Sequence, residues 1–437
     1  MEEPSTPTAT GHAPGGTSDT VFASPPEHIP SGIDLDDEGT PRRYRTVEDC
    51  IRTSAPLELD PEELLLATSE EPATFTEADS DPAWRAAMAE EMRAIVENGT
   101  WEAVELPAGQ RRERLLLGVY VDDLILTGAD PGEIEKFKKE MMDTFKMSDL
   151  GCLSYYLGIE VKQQSGRITL CQAAYAAKLI ERAGMSGCNS TSVPMEPRLK
   201  LSKNSSTPPV DATMYRSIVG SLRYLVHTRP DISFAVGYVS RFRENPTTEH
   251  LSAVKHLLRY IAGTLHYGIV YTRDKNDLKL QGFSDADMAG DVDDRKSTTG
   301  VLFCLGGSPV TWQSQKQSVV ALSSCEAEYI AASTAACQGV WLGRLLGRFY
   351  GHAASIANIF IDNQSAIQLC KNPVFHGRTK HIETRFHYIR ECVEGGKVAV
   401  HKIHTDDQLA DILTKSLGRV RFLHLRSKIG VVDLRSN

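Results

Sequence analysis

Residues 1–80 carry few large apolar side chains among their Pro, Ser, Thr, Gly and acidic positions. Such a stretch buries too little surface to offset its ordering entropy, so it is expected to be a disordered acidic segment. The first helical period follows. In "DPAWRAAMAEEMRAIVENGTW" (81–101), Trp84, Met88, Met92 and Ile95 share one face, Pro82 stands near the start and Asn98-Gly99 marks the end. "LLLGVYVDDLILTG" (115–128) reads as strand, yet it places Asp122 and Asp123 inside an apolar run, where an unpaired charge is costly to desolvate. "DPGEIEKFKKEMMDTFKM" predicts a helix. "YYLGIEVKQQSGRITLCQ" predicts two strands around a Ser165-Gly166 turn, and "AAYAAKLIERAGM" another helix. A polar stretch, "SKNSSTPPVD", precedes a helical run over 213–264 that breaks near Arg229-Pro230. From 278 the order becomes three strands, a long helix, strand, two helices, strand and helix. That mixture predicts an α/β sheet domain with helices packed on it.

Composition adds two constraints. The chain has 437 residues, a length suited to two or three domains, and a net charge of −9. The charge is unevenly spread: residues 1–110 hold 6 Lys+Arg against 24 Asp+Glu, whereas 111–280 hold 24 against 18. The mildly basic remainder suits a phosphate-backbone partner as well as it suits ordinary solvated surface. No apolar run reaches membrane-span length, and the N-terminus lacks a basic-then-apolar signal pattern. A soluble cytoplasmic or nuclear protein with no membrane partner is expected. Nine cysteines without any C-x-x-C fit reduced thiols.

Candidate chemistry gathers near the C-terminus. "LKLQGFSDADMAGD" reads as a strand ending at Asp285, and "IANIFIDNQSAIQLC" as a strand ending at Asp362. Acids at strand ends project from the sheet edge, where open α/β sheets hold ligands. In the long helix, Ser323-x-x-Glu326 has capping-box spacing, which leaves Glu328 for another task. Glu326 and Glu328 lie about 200° apart on a helix, so only one faces the sheet. Glu328 shares its face with Ala331, Ala335 and Gly339, small enough for close approach, and is the better candidate. "HTDDQLADILTKSL" (404–417) predicts a helix with a Thr405-x-x-Gln408 cap and Asp411 one turn further in. Four carboxylates from strand end, helix, strand end and helix suit two-metal phosphodiester hydrolysis, in which hard oxygen ligands hold Mg²⁺. His376, His381, His387 and His401 do not form a convincing zinc set. His381 and His387 are six residues apart, and the expectation is solvent-facing side chains beside the basic stretch "GRTKHIETR".

The motifs "SDADMAGD", "RKSTTGVLFCLG", "VTWQSQKQSVVALSSCEAEYIA", "IDNQSAI", "KHIETRFHYIRE" and "QLADILTK" resemble the ribonuclease H domain of copia-type LTR retrotransposon Pol polyproteins. "VYVDDLIL", "FKMSDLGCLSYYLGIEV", "YRSIVGSLRYLVHTRPDISFAVGYVSRF" and "HLSAVKHLLRYIAGT" resemble the reverse transcriptase that precedes it. The resemblance implies an overall α/β and α+β fold. A ribonuclease H-like mixed-sheet α/β domain at 277–437 would follow a partial palm and thumb-connection region at 81–275 and the disordered N-terminus.

It also implies Mg²⁺-dependent endonucleolytic hydrolysis of RNA in an RNA–DNA hybrid, with two Mg²⁺ ions or Mn²⁺ in their place. Asp285, Glu328, Asp362 and Asp411 would be the catalytic metal ligands, and Asn363, Arg378 and Lys380 would contact nucleic acid. Met288 replaces the family's usual Trp, a change expected to cost packing rather than ligation. Asp122 and Asp123 match the polymerase metal site. The family's fingers and first palm strand, which carries the third polymerase carboxylate, lie between "LPAG" and "VYVDD"; here only "QRRERLLLG" separates them. The pair is therefore expected to be vestigial, with polymerase activity lost. The alternative is a catalytically inactive nucleic-acid-binding remnant. No D-[ST]-G protease turn and no H…H…C-x-x-C integrase pattern occurs.

Overall fold

The computed structural model describes residues 80, 82, 84–86, 88–89, 93, 115–120, 123–145, 147–273, 279–350, 355–371 and 384–435. The expected disorder of 1–80 lies outside these, apart from Ser80; the described residues from 80 to 93 are helical, as the periodicity predicts. Residues Met1–Gln110 and Arg111–Asn437 form two separate compact units. Among the described residues, no helix is long and apolar enough to cross a membrane.

Within Arg111–Asn437, β1 (Leu115–Tyr120) and β2 (Asp123–Gly128) make an antiparallel hairpin that pairs with no other described strand, and in it Tyr120 pairs with Asp123. Helix α1 (Pro131–Thr144) follows, capped by Asp130, whose side chain accepts from Gly132 N–H at 2.7 Å. It buries none of its residues. A five-stranded antiparallel sheet comes next: β3 (Tyr155–Tyr156), β4 (Ile159–Gln164), β5 (Arg167–Cys171) and β6 (Tyr267–Thr272), with β12 (Val431–Asp433) at the edge beside β6. The predicted turn at Ser165-Gly166 is present, with Gly166 at φ +74°, a backbone setting that favours glycine. Helices α2 (Ala173–Arg182), α3 (Ala212–Leu225), α4 (Ser233–Val239) and α5 (Thr248–Ala262) occupy the helical stretches read from the sequence. The break at Arg229-Pro230 is a 3-10 turn, Pro230–Ile232.

That turn holds an ion network whose core, Arg229, Asp231 and Tyr260, is fully buried. Arg229 donates to both carboxylate oxygens of Asp231 at 2.9 and 2.8 Å, and to the Thr264 carbonyl and hydroxyl at 2.9 Å each. Tyr260 donates to Asp231 at 2.6 Å, and Arg426 to Tyr260 at 2.9 Å. Burial opposes the charge on Asp231, but Arg229 beside it holds the carboxyl below its usual range.

The second five-stranded sheet runs β11 (Val398–Lys402), β10 (Ala357–Ile361), β7 (Leu280–Ala286), β8 (Thr298–Leu305), β9 (Ser308–Lys316). Strands β7, β8 and β9 are antiparallel neighbours, whereas β7–β10 and β10–β11 are parallel. This is the mixed α/β arrangement that the order of elements predicts. Helix α6 (Ser324–Tyr350) packs on one face, with its Ala and Gly positions buried. A Cβ on Gly339 would stand 2.9 Å from Ala357 Cβ, and one on Gly343 would meet the Ser355 carbonyl at 2.2 Å. Helices α7 (Gln364–Lys371) and α8 (Tyr388–Glu394) complete this layer, and α9 (Arg419–Lys428) leads into β12. Strand β12 therefore carries the C-terminus back across the 275/277 boundary, and a hydrophobic core joins residues from both sides of it, from Ala176 through Leu302 to Val431.

The expected helix at 404–417 is not formed. Two 3-10 turns, Thr405–Asp407 and Leu409–Leu413, stand there instead, separated by Gln408 in an extended conformation. The reason is the buried Gln408 side chain. Its amide donates to the Ser284 carbonyl at 2.9 Å and the Phe360 carbonyl at 3.4 Å, which pulls the backbone out of a continuous helix.

Candidate functional site

Asp285 comes from the end of β7, and Asp362 follows the last residue of β10. These parallel strands pair only as far as Phe283 and Phe360. Beyond that the Gln408 amide lies between them and takes the carbonyls of Ser284 and Phe360. The strands part where the two acids project. Gly300 pairs with Asp285 across β8, and a Cβ there would collide with Thr414 Cγ2 at 2.6 Å and the Ala410 carbonyl at 2.9 Å. The missing side chain lets segment 409–414 descend onto the sheet. Thr414 then donates its hydroxyl to Asp285, and Asp411 is brought alongside.

From the opposite face, α6 supplies Glu328. One oxygen each from Asp285, Glu328 and Asp362 lies within 4.8 Å of the others, a group that could hold a metal ion. Asp285 and Glu328 are buried, and Glu328 Oε2 has no hydrogen-bond partner among the described residues. Burial, then the carboxylates of Asp285 and Asp362, push the Glu328 carboxyl up to about 10. Burial also raises Asp285, to about 6, against the pull of Lys415. A buried oxygen without a donor, facing two further carboxylates, fits a hard divalent cation; all the donors are oxygens.

The two glutamates are both buried but differ in their contacts. Ser323 Oγ accepts from Glu326 N–H at 3.2 Å, and Glu326 accepts from Leu322 N–H at 2.9 Å, a capping role. Asp411 is outside the three-acid group. Lys415 lies 2.7 Å from its Oδ1 and Arg421 3.1 Å from its Oδ2. Asn363 caps α7, accepting from Ser365 and Ala366 N–H at 3.0 and 3.1 Å. Thr405, expected as a cap, donates instead to Asp362 Oδ2 at 3.0 Å. Arg378, Lys380, His376 and His381 lie outside the described residues. His387 is half-buried in a 3-10 turn and bonds Tyr329 at 3.0 Å, contrary to a solvent-facing helix position, and His401 bonds Asn358 at 3.0 Å. Met288, at 45% exposure, has little packing to lose. Asp123 is exposed at the start of β2, and Asp122 lies outside the described residues. The contributions of Gln408 and Lys415 were missed in the sequence. Lys415 had a signal, an i,i+4 opposite charge after Asp411.

Residues 97–197 match the family described as reverse transcriptase (RNA-dependent DNA polymerase). The Pol polyprotein of transposon RE1 from Arabidopsis thaliana is 44% identical over 313 residues, 72% of this chain and 21% of the relative. That of transposon TNT 1-94 from Nicotiana tabacum is 42% identical over 326 residues, 72% of this chain and 24% of the relative. The chain belongs to the copia-type retrotransposon Pol polyproteins. It spans between a fifth and a quarter of the length of these two copia-type relatives. The solved structure of LC11-RNase H1, isolated from compost, is 16% identical with a TM-score of 0.24, covering 31% of this chain and 93% of that one. Within this copia-type chain, the reverse-transcriptase match contains the β1–β2 hairpin and ends well before the acidic cluster.

Proposed function

We propose that residues 277–437 are a ribonuclease H-like domain that hydrolyses the RNA strand of an RNA–DNA hybrid endonucleolytically with Mg²⁺. Residues 81–275 are then a truncated reverse transcriptase that no longer polymerises. The observation that carries the reading is the convergence of Asp285, Glu328 and Asp362 within 4.8 Å, from two strand ends and a facing helix. Two divalent cations, Mg²⁺ or Mn²⁺, would supply activation of a water and stabilisation of the leaving oxygen.

The protein's own groups do the rest. Asp285, Glu328 and Asp362 hold the cations, with Asp411 completing the set beside Asp285. Gln408 keeps the strand ends apart, and Thr414 orients Asp285. Asn363, its side-chain oxygen fixed by capping, presents its amide N–H group to the hybrid backbone, and Arg378 and Lys380 neutralise phosphates. On the polymerase side, Asp123 is exposed and, among the described residues, belongs to no cluster that could hold a metal.

Cleavage of an end-labelled RNA–DNA hybrid by the full chain tests the reading. Product is expected with Mg²⁺ and none with chelator. Intact hybrid under both conditions, with the chain still binding it, would favour the inactive remnant.

A further inference from the structure

One cation of the protein already sits in the acidic site. Lys415 Nζ lies 2.7 Å from Asp411 Oδ1 and 3.4 Å from Asp285 Oδ2, so a single ammonium bridges two of the four carboxylates. The two carboxylates cannot move apart, because their side chains are 2% and 6% exposed and are held by Thr414 and Arg421. Arg421 is anchored as well, through the Thr405 and Asp406 carbonyls in addition to Asp411 Oδ2. Lys415 differs: its side chain is 42% exposed and enters from solvent on a flexible stem. Of the two cations at Asp411, it is the one that can leave.

The position is also where the acidic set is incomplete. Asp285, Glu328 and Asp362 share a space small enough for one cation, while Asp411 turns its oxygens to Lys415 and Arg421. A divalent ion bridging Asp285 and Asp411 would have to take the place of the ammonium, since two cations there would repel at contact distance.

We propose that Lys415 is an exchangeable internal counter-cation, which occupies the Asp285–Asp411 position in the metal-free protein and gives it up to the second of two divalent cations. This rests on the metal-centre reading above. Binding is then sequential. The first cation enters among Asp285, Glu328 and Asp362, and the second binds more weakly because it must expel Lys415. The ammonium suppresses carboxylate repulsion while the site is empty, and its expulsion ties completion of the site to cation concentration.

The test is a Mn²⁺ titration of the full chain, with free Mn²⁺ read by electron paramagnetic resonance. It compares wild type, Lys415→Gln, Lys415→Arg and Asp285→Asn, with thermal melts without metal. Wild type is expected to show a tight and a weak site. In Lys415→Gln the weak site should tighten about tenfold or more, the effect of removing one adjacent like charge, while the metal-free melting temperature falls. Lys415→Arg should restore the weak site. Unchanged or weaker Mn²⁺ binding in Lys415→Gln would overturn the proposal, because a residue that only braces the site loosens binding when removed. Asp285→Asn tests the underlying reading independently: if it binds Mn²⁺ as wild type does, the metal-centre assignment fails whatever Lys415 does.

Discussion

Aspartates stand at strand ends both in the β1–β2 hairpin and in the second five-stranded sheet, and their surroundings differ. The β1–β2 hairpin presents Asp123 to solvent on two strands that pair with no other described strand, and no described residue from Leu115 to Leu150 is buried. Val119 and Tyr120 beside it are 64% and 55% exposed. A lone two-stranded hairpin is marginal in water, and its uncovered apolar side chains and edges invite association. At Asp285 the strand is central in a five-stranded sheet, and α6 and segment 409–414 close over opposite faces. The comparison teaches that a carboxylate at a strand end becomes a candidate centre only when burial raises the cost of its charge and other elements bring further ligands to meet it. Exposure makes the charge on Asp123 cheap; burial makes that on Asp285 expensive without a cation.

The comparison breaks most readily at Glu328. Glu328→Gln is expected to lower hybrid cleavage about a thousandfold, several kcal/mol of lost transition-state stabilisation. Glu326→Gln should cost only about 1 kcal/mol of stability through the cap. Equal activity losses in the two variants would show that the wrong helix face was chosen.

Asp231→Asn tests what holds the buried region together. It leaves Arg229 buried with half its partner gone, and denaturant unfolding should show a loss of about 3–5 kcal/mol. By contrast, breaking the exposed Lys138–Glu135 pair in α1 should leave the unfolding midpoint nearly unchanged. Comparable losses would mean that the two regions are equally well packed.

The response to pH sharpens the contrast. Asp285 and Glu328 have folded-state values of about 6 and about 10, above the unfolded ~3.9 and ~4.3. Between those limits the folded state binds more protons, so the stability these groups contribute is full at low pH and falls as pH rises. The metal-free melting temperature should therefore drop from pH 5 to pH 8, and saturating Mg²⁺ should remove most of the drop. A melting temperature that rises with pH in chelator would contradict the burial of these acids. The smallest effect is expected at the hairpin. Val119→Lys should leave global stability within about 0.5 kcal/mol while reducing self-association in sedimentation velocity.

Much of this was legible in the sequence because it depends on local pattern. The 3.6-residue period marked α2, α3 and α5, the Ser165-Gly166 turn gave the β4–β5 hairpin, and Ser323 marked the start of α6, where its hydroxyl accepts from Glu326 N–H. What escaped depends on partners distant in sequence. Gln408 reads as a helix cap until its amide finds Ser284 and Phe360, 124 and 48 residues away, which breaks the helix expected at 404–417. Arg229-Pro230-Asp231 reads as a breaker, and only burial beside Tyr260 and Thr264 makes it an anchor. The return of β12 to β6 is a pairing between the far end of the chain and a strand about 160 residues earlier, which no local period encodes.

On the proposed function, the buried acidic cluster, and not the Asp122-Asp123 hairpin, is the working centre. Its most direct test is the cleavage rate of a labelled RNA–DNA hybrid in Mg²⁺ by wild type, Asp285→Asn and Asp123→Asn. Wild type is expected to cleave, Asp285→Asn to lose about a thousandfold or more without unfolding, and Asp123→Asn to keep the wild-type rate. A near-normal rate in Asp285→Asn, or a loss in Asp123→Asn as large as that expected for Asp285→Asn, would contradict the proposed function.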